Sequence, residues 1–330
     1  MPSLLYLTQS GETLPSVRFR VAPFVVKARE RGIEASFRVI PKGALARIPF
    51  FFGLPRADVL VLQKKLLNPL DLALAARVGR RFVYDFDDAV WTSHPNVLDP
   101  ARRERERAKQ EPRFQAVCRR ADLVIAGNSF LAGRAREFAA KVEILPTPLD
   151  TDVYVPGGRD RAGLPVVGWM GTACNQFFLP EIFEALRPLA ERMRLHVVSD
   201  EPYAGEGADF EAWSPTREIA QLQAMDIGLM PLSDDEYTRG KCGFKLLQYM
   251  ACGAVPVASD VGFNREIVEH GRTGFLVREP GEWREAVALL LDDPARRADM
   301  ALAAREAVVA RFSLAASAQR LFTILGFTEA

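Results

Sequence analysis

Short apolar runs recur along the chain at intervals that helical stretches fill. Residues 3–8 (SLLYLT), 33–39 (IEASFRV), 58–62 (DVLVL), 81–86 (RFVYDF), 122–126 (DLVIA) and 142–145 (VEIL) read as strands. Helices are expected at 21–31, 70–78, 102–120 and 130–140, the first stopped by Gly32. The pattern pauses over 146–165 (PTPLDTDVYVPGGRDRAGLP), where proline, glycine and aspartate resist either regular element. It then restarts, with strands expected at 165–170, 194–199, 226–231, 254–258 and 274–277. Helices are expected at 179–191, 243–252, 263–270, 280–292, 295–311 and 313–325. Such alternation predicts parallel sheets flanked by helices. The expected fold is α/β, with two Rossmann-like doubly wound parallel-sheet domains facing a central cleft. Their expected bounds are 1–155 and 156–312, and a last helix over 313–330 packs back on the first.

Composition narrows the class. A length of 330 residues suits two domains at about 150 residues each. A formal net charge of +1 gives no whole-chain field favouring nucleic acid. No apolar run approaches the roughly 20 residues that span a bilayer. The start, MPSLLYLTQSGE, lacks a basic region before a long apolar stretch, so a signal peptide is not expected. No amphipathic membrane anchor stands out. Cys118, Cys174, Cys242 and Cys252 are scattered without a Cys-x-x-Cys pair, and histidines number three. The expectation is reduced thiols, a cytoplasmic setting and no metal cluster.

The segment TRGKCGFKLLQYMACGAVPVASDVG (238–262) carries the most chemistry. It follows an acidic loop, Ser233-Asp234-Asp235-Glu236, and turns basic at Arg239 and Lys241. Gly240 and Gly243 bracket a helix start, where unpaired N–H groups and the positive dipole end attract anions. At helical spacing Lys241, Lys245 and Gln248 share one face, while Phe244, Leu247 and Ala251 share another. The expected helix therefore buries one side and shows two ammonium groups and an amide on the other. Two lysines and an arginine suit a diphosphate, and the amide suits a ribose hydroxyl. An ordinary solvated helix face has the same spacing, and what favours a site is the glycine-basic loop between strands.

These residues carry a resemblance. GKCGFKLLQYMACGAVPVASDVGFNREIVEHGRTGFLV is similar to the donor-binding core of glycosyltransferase family 4, of the GT-B fold. SVRFRV, YDFDDAVW, ADLVIAGNS, LPTPLDTDVY and GWMGT resemble further family pieces in order. The resemblance implies transfer of a sugar from a nucleoside diphosphate sugar donor, with retention of configuration and no obligatory metal. The acceptor would be a glycan, a lipid-linked molecule or a small molecule, and a lipid-linked one would bring peripheral membrane contact. The resemblance also implies phosphate contacts for Arg239, Lys241 and Lys245. It sets Gly171 and Thr172 near the donor phosphates and Asn264 near the sugar. Where the family carries two glutamates eight positions apart, this chain has Gly240 and Gln248. Asp234, Asp235 or Glu236 is the alternative source of the first carboxylate. The basic pair usual after the GWMGT-like turn is replaced by Ala173–Phe178, and Arg239 and Lys241 are the compensating cations.

Asp85, Asp87 and Asp88 follow a strand, at the end where such sheets bind ligands. Asp87 and Asp88 either serve the acceptor or the cationic transition state, or cap a turn. Arg18 and Arg20 are expected in the loop after the first strand, facing phosphate or an acidic acceptor. Trp169 and Trp213 read as core or as nucleotide-pocket walls. Two other classes remain open on the same scaffold: a sugar-nucleotide epimerase or phosphorylase, and a non-catalytic sugar-nucleotide binder.

Overall fold

The computed structural model describes residues 1–158 and 163–327. Positions 159–162 of the expected linker and 328–330 of the expected last helix lie outside the described residues. The chain divides into two units. The first comprises Met1–Pro148, Gly240–Cys242 and Leu314 onward, and the second comprises Leu149–Arg239 and Gly243–Ser313.

The first unit holds strands β1 Ser3–Thr8, β2 Glu34–Val39, β3 Ala57–Gln63, β4 Gly79–Phe86, β5 Leu123–Ala126 and β6 Val142–Ile144. They pair in parallel in the order β2-β1-β3-β4-β5-β6. Central parallel strands are covered on both faces, which is why they read as unbroken apolar runs. In β3, Leu60 and Leu62 enter one core cluster while Val59 and Val61 enter the other. Helix Leu314–Leu325 belongs to this second cluster, where Leu321 and Phe322 join Val17 and Phe24.

The second unit holds β7 Val166–Met170, β8 Arg194–Ser199, β9 Asp209–Ala212, β10 Ile227–Met230, β11 Val255–Ser259 and β12 Phe275–Val277. Their order is β12-β11-β10-β7-β8-β9, again parallel. Counted from β7, this is the 3-2-1-4-5-6 order of dinucleotide-binding sheets. Its direction of winding reverses between β7 and β10.

The second unit already begins at Leu149. The Leu149 N–H donates to the Phe312 carbonyl at 2.9 Å. Arg305, on helix Pro294–Phe312, donates to the carbonyls of Thr151, Ala251 and Tyr154. Leu149, Thr151 and Tyr154 are buried, so a stretch that looks like a linker by composition is held as a strap.

Several elements differ from expectation. Strand β9 (DFEA) was not expected, because it is a largely exposed edge with no apolar run. Helices Ala44–Phe52 and Glu218–Gln223 were not expected either. The expected helix over 263–270 forms only at Asn264–Ile267. The four cysteines are free thiols, three buried and Cys174 exposed. Among the described residues, no helix is long and apolar enough to cross a membrane.

Candidate functional site

In a doubly wound sheet the carboxyl ends of the strands flanking the reversal leave a crevice open to ligands. In the second unit these are the ends of β7 and β10. β7 runs out into Gly171 and Thr172. Helix Phe244–Cys252 points its first turn to the same end, and Lys245 brings its Nζ over the Trp169 ring, 4.8 Å from the centroid. A Cβ on Gly171 would sit 2.6 Å from that Nζ and 2.4 Å from the Trp169 ring. Only glycine lets the ammonium lie against this backbone. Trp169 is otherwise core, 1% exposed. So Trp169, Gly171 and Lys245, from two elements, form one cationic corner at a helix N-terminus.

The expected division of the helix into a buried and an exposed face is not what the structure has. Leu246 through Cys252 are all buried, and only Phe244 and Lys245 are half-exposed. The reason is that the helix is central, packed by Pro294–Phe312, Glu218–Gln223 and strands β10 and β11. Gly228 in β10 allows this, since a Cβ there would lie 2.3 Å from the Tyr249 ring. The Tyr249 hydroxyl in turn accepts from the Met170 N–H at 2.9 Å, fixing the end of β7.

Gln248, expected on the open face, is 6% exposed and donates its amide to Glu218 Oε1 at 3.0 Å. Glu218 is a hub that sequence reading missed. It is 5% exposed and also accepts from the Tyr154 hydroxyl and from Trp213 Nε1, the latter at 2.9 Å. Nothing in TREIAQLQ distinguishes it from a solvated helical glutamate. Asn264 is also buried, and its amide donates to the Ser259 carbonyl at the carboxyl end of β11, 3.0 Å. Arg239 is exposed and grips Asp234 with Nε and Nη2 at 2.6 and 3.1 Å. Asp235 caps the short helix Glu236–Arg239 through the Thr238 N–H at 2.9 Å. Asp234 and Asp235 therefore already have local partners.

Lys241 does not lie on the helix with Lys245. It precedes the helix, and Gly240–Cys242 cluster with the first unit. There the Lys241 carbonyl accepts from Asn128 Nδ2 at 3.0 Å, and the Cys242 thiol donates to the Asp87 carbonyl at 3.1 Å. Its Nζ stands 3.8 Å from Asp88. Lys64, which sequence reading also missed, pairs with Asp88 and stands 3.5 Å from Asp87 Oδ1. It sits just past the carboxyl end of β3 in the left-handed backbone region, φ 61°, unusual for a lysine. The Lys64-Lys65 pair directly after an apolar strand was the signal available. The first unit thus gathers Lys64, Asp87, Asp88 and Lys241 at the carboxyl edge of its sheet.

Burial alone would raise the Asp88 carboxyl, but Lys64 and Lys241 outweigh it and hold the group below its ordinary value. A depressed carboxyl adds stability above its unfolded value, near pH 3.9, and loses it as pH falls through the folded value. Urea denaturation should therefore show stability falling below about pH 4, and Asp88→Asn should flatten that limb. An unchanged slope in the variant would remove the cluster's electrostatic role.

Arg18 and Arg20 are not in a loop. Both lie on helix Pro15–Arg20. Arg20 is 1% exposed, chelates Asp85 at 2.7–3.1 Å, and donates to the Leu145 carbonyl at 2.7 Å. A guanidinium enclosed by these partners is a strut of the unit, not a group held out to a ligand. Arg18 lies over the Phe19 ring, 4.5 Å from its centroid.

Among the described residues, no three His, Cys, Asp or Glu side chains are grouped to hold a metal ion. A cavity of about 210 Å³, lined by Gln223, Asp226, Gly253 and Arg297 among others, opens at the amino-terminal edge of the second sheet. It lies away from the cationic corner and contains none of the expected site residues.

Residues 164–293 match the family described as Glycosyl transferases group 1. A D-inositol 3-phosphate glycosyltransferase of Stackebrandtia nassauensis is 29% identical over 224 residues, 56% of this chain and 48% of that protein. The chain thus spans about half the length of this curated relative. Sucrose-phosphate synthase from Thermosynechococcus elongatus aligns over 98% of both chains at TM-score 0.74 and 15% identity. Anabaena HepE in complex with UDP-glucose aligns over 99% of this chain and 100% of its own, at TM-score 0.73 and 16% identity. Residues 164–293 are thus similar to the group 1 glycosyl transferases, and the fold the chain carries is GT-B.

Proposed function

We propose that the chain is a retaining glycosyltransferase that takes a sugar from a nucleoside diphosphate sugar and passes it to a glycan, lipid-linked or small-molecule acceptor without an obligatory metal. The observation that carries this is the Lys245 ammonium held against Gly171 at the reversal point of the second sheet. A diphosphate there meets the positive end of helix Phe244–Cys252. As the sugar–oxygen bond breaks, charge grows on the leaving diphosphate, and Lys245 neutralises it in place. Arg239 is a second phosphate ligand, presented as a bidentate pair with Asp234 that a phosphate oxygen joins or replaces. Glu218 takes the Gln248 amide nitrogen at 3.0 Å, which leaves Oε1 as the acceptor for a ribose hydroxyl. Thr172 and Asn264 line the phosphate and sugar positions.

The first unit takes the acceptor side. Asp87 and Asp88, with Lys64 and Lys241, are the groups that hold the acceptor or steady positive charge on the sugar. The fold shared with a UDP-glucose complex makes UDP-glucose the first donor to try. Calorimetry with UDP, GDP, ADP and UDP-glucose should find one that binds, with affinity unchanged by EDTA, and proton NMR of the product should show the donor's anomeric configuration. If no common nucleoside diphosphate or its sugar binds, the reading fails. Binding without turnover over a broad acceptor screen would leave only a donor-binding protein.

A further inference from the structure

Helix Ala44–Phe52 carries a stripe of apolar side chains on the outside of the first unit. Leu45 is 89% exposed, Ile48 41% and Phe52 72%. At about 100° per residue these positions fall within roughly 60° of arc. The opposite side holds the helix in place, with Phe51 in the core and Phe50 packed against it. Leu70, on the neighbouring helix Pro69–Ala75, is 57% exposed. Large apolar side chains grouped in this way on an outer surface mark a contact surface rather than scatter.

Within the segment that carries the helix the charges have one sign, and Asp71 of the neighbouring helix is paired with Arg47. Between Glu34 and Asp58 the chain has Arg38, Lys42, Arg47 and Arg56 and no Asp or Glu. Arg47 bonds the carbonyls of Pro41 and Lys42 and pairs with Asp71 at 2.9 Å, and Asp71 is further engaged by Asn68. Lys65 lies near enough for Arg47 and Lys42 to add to burial in drawing its ammonium down. Lys42 and Arg56 are exposed. Protein interface cores are depleted in lysine, whereas an apolar stripe bordered by Lys and Arg is the pattern of a helix lying in a lipid interface.

We infer that helix Ala44–Phe52 docks the first unit on an anionic lipid bilayer, with Leu45, Ile48 and Phe52 entering the acyl boundary and Lys42 and Arg56 meeting lipid phosphates. This does not depend on the proposed activity, because none of these residues belongs to either site. The test is co-sedimentation of the full chain with vesicles of phosphatidylcholine, with and without phosphatidylglycerol. The chain should pellet with the anionic vesicles and far less with the neutral ones, and salt should release it. Leu45→Ser/Ile48→Ser/Phe52→Ser should lower the partition coefficient by at least about tenfold. Lys42→Glu/Arg56→Glu should lower it on anionic vesicles alone. Because these side chains are exposed, both variants should melt like the parent chain, which separates lost docking from lost folding. The inference is overturned if the parent chain stays in the supernatant or if the triple variant pellets equally. It is also overturned if gel filtration shows a dimer that the triple variant dissolves, since a second copy would then cover the stripe.

Discussion

Lys245→Ala should lower kcat/KM for the nucleoside diphosphate sugar by about 10²–10³-fold, the usual effect of removing one group aimed at developing transition-state charge. The melting temperature should change little, because the side chain is half-exposed and reaches out over the Trp169 ring instead of filling the core. Lys245→Arg should recover only part of the loss. It keeps the charge, but a planar guanidinium needs more room than an ammonium, and Gly171 and Trp169 close the space on one side. Affinity for UDP, read by calorimetry, should fall with activity, since in the proposed reaction the same ammonium meets the diphosphate before and after transfer. A Lys245→Ala enzyme with parental kcat/KM would remove the corner from the mechanism.

Arg20→Ala should cost about 3–5 kcal/mol in urea denaturation, because it leaves Asp85 buried without its counter-charge. That is a large part of the roughly 5–15 kcal/mol that holds a typical domain. The Leu145 carbonyl and the Thr147 hydroxyl lose a donor as well. Replacing both charges together, as in Arg20→Met/Asp85→Leu, should restore most of the loss, since no uncompensated ion remains. A pH dependence goes with it. Burial pushes the Asp85 carboxyl up, and Arg20 draws it back. Without Arg20 the folded value rises further above the unfolded one, so folding takes up a proton. The variant should then gain stability as pH falls from neutrality and lose it as pH rises. A cost below about 1 kcal/mol would show that the pair is not a strut.

The paired strands were readable from sequence wherever apolar runs were buried on both faces, as in LVIA of β5 and VPVAS of β11. Helix Ala44–Phe52 was not readable. Its sequence, ALARIPFFF, is nearly all apolar with a proline inside, so it shows neither a helical nor a strand period. At the site, the glycines and Lys245 were legible because type and order sufficed. Spacing failed for Lys241 and Gln248. The first precedes the helix, and the second is covered by Glu218, thirty positions earlier. A helix packed on every side has no polar face for periodicity to find. Arg20 was misread for a related reason, because its partner Asp85 is distant in sequence and only the folded sheet brings the two charges together.

The division of the chain also governs when each part can fold during synthesis. Val17, Phe24 and their neighbours complete their core only with Leu321 and Phe322. The ribosome makes those residues after the roughly 165 that separate Pro148 from Leu314. At about 5–20 residues per second this delay is on the order of ten seconds. During that interval the earlier-made sheet leaves the apolar surface that Leu321 and Phe322 later cover exposed to chaperones and to neighbouring nascent chains.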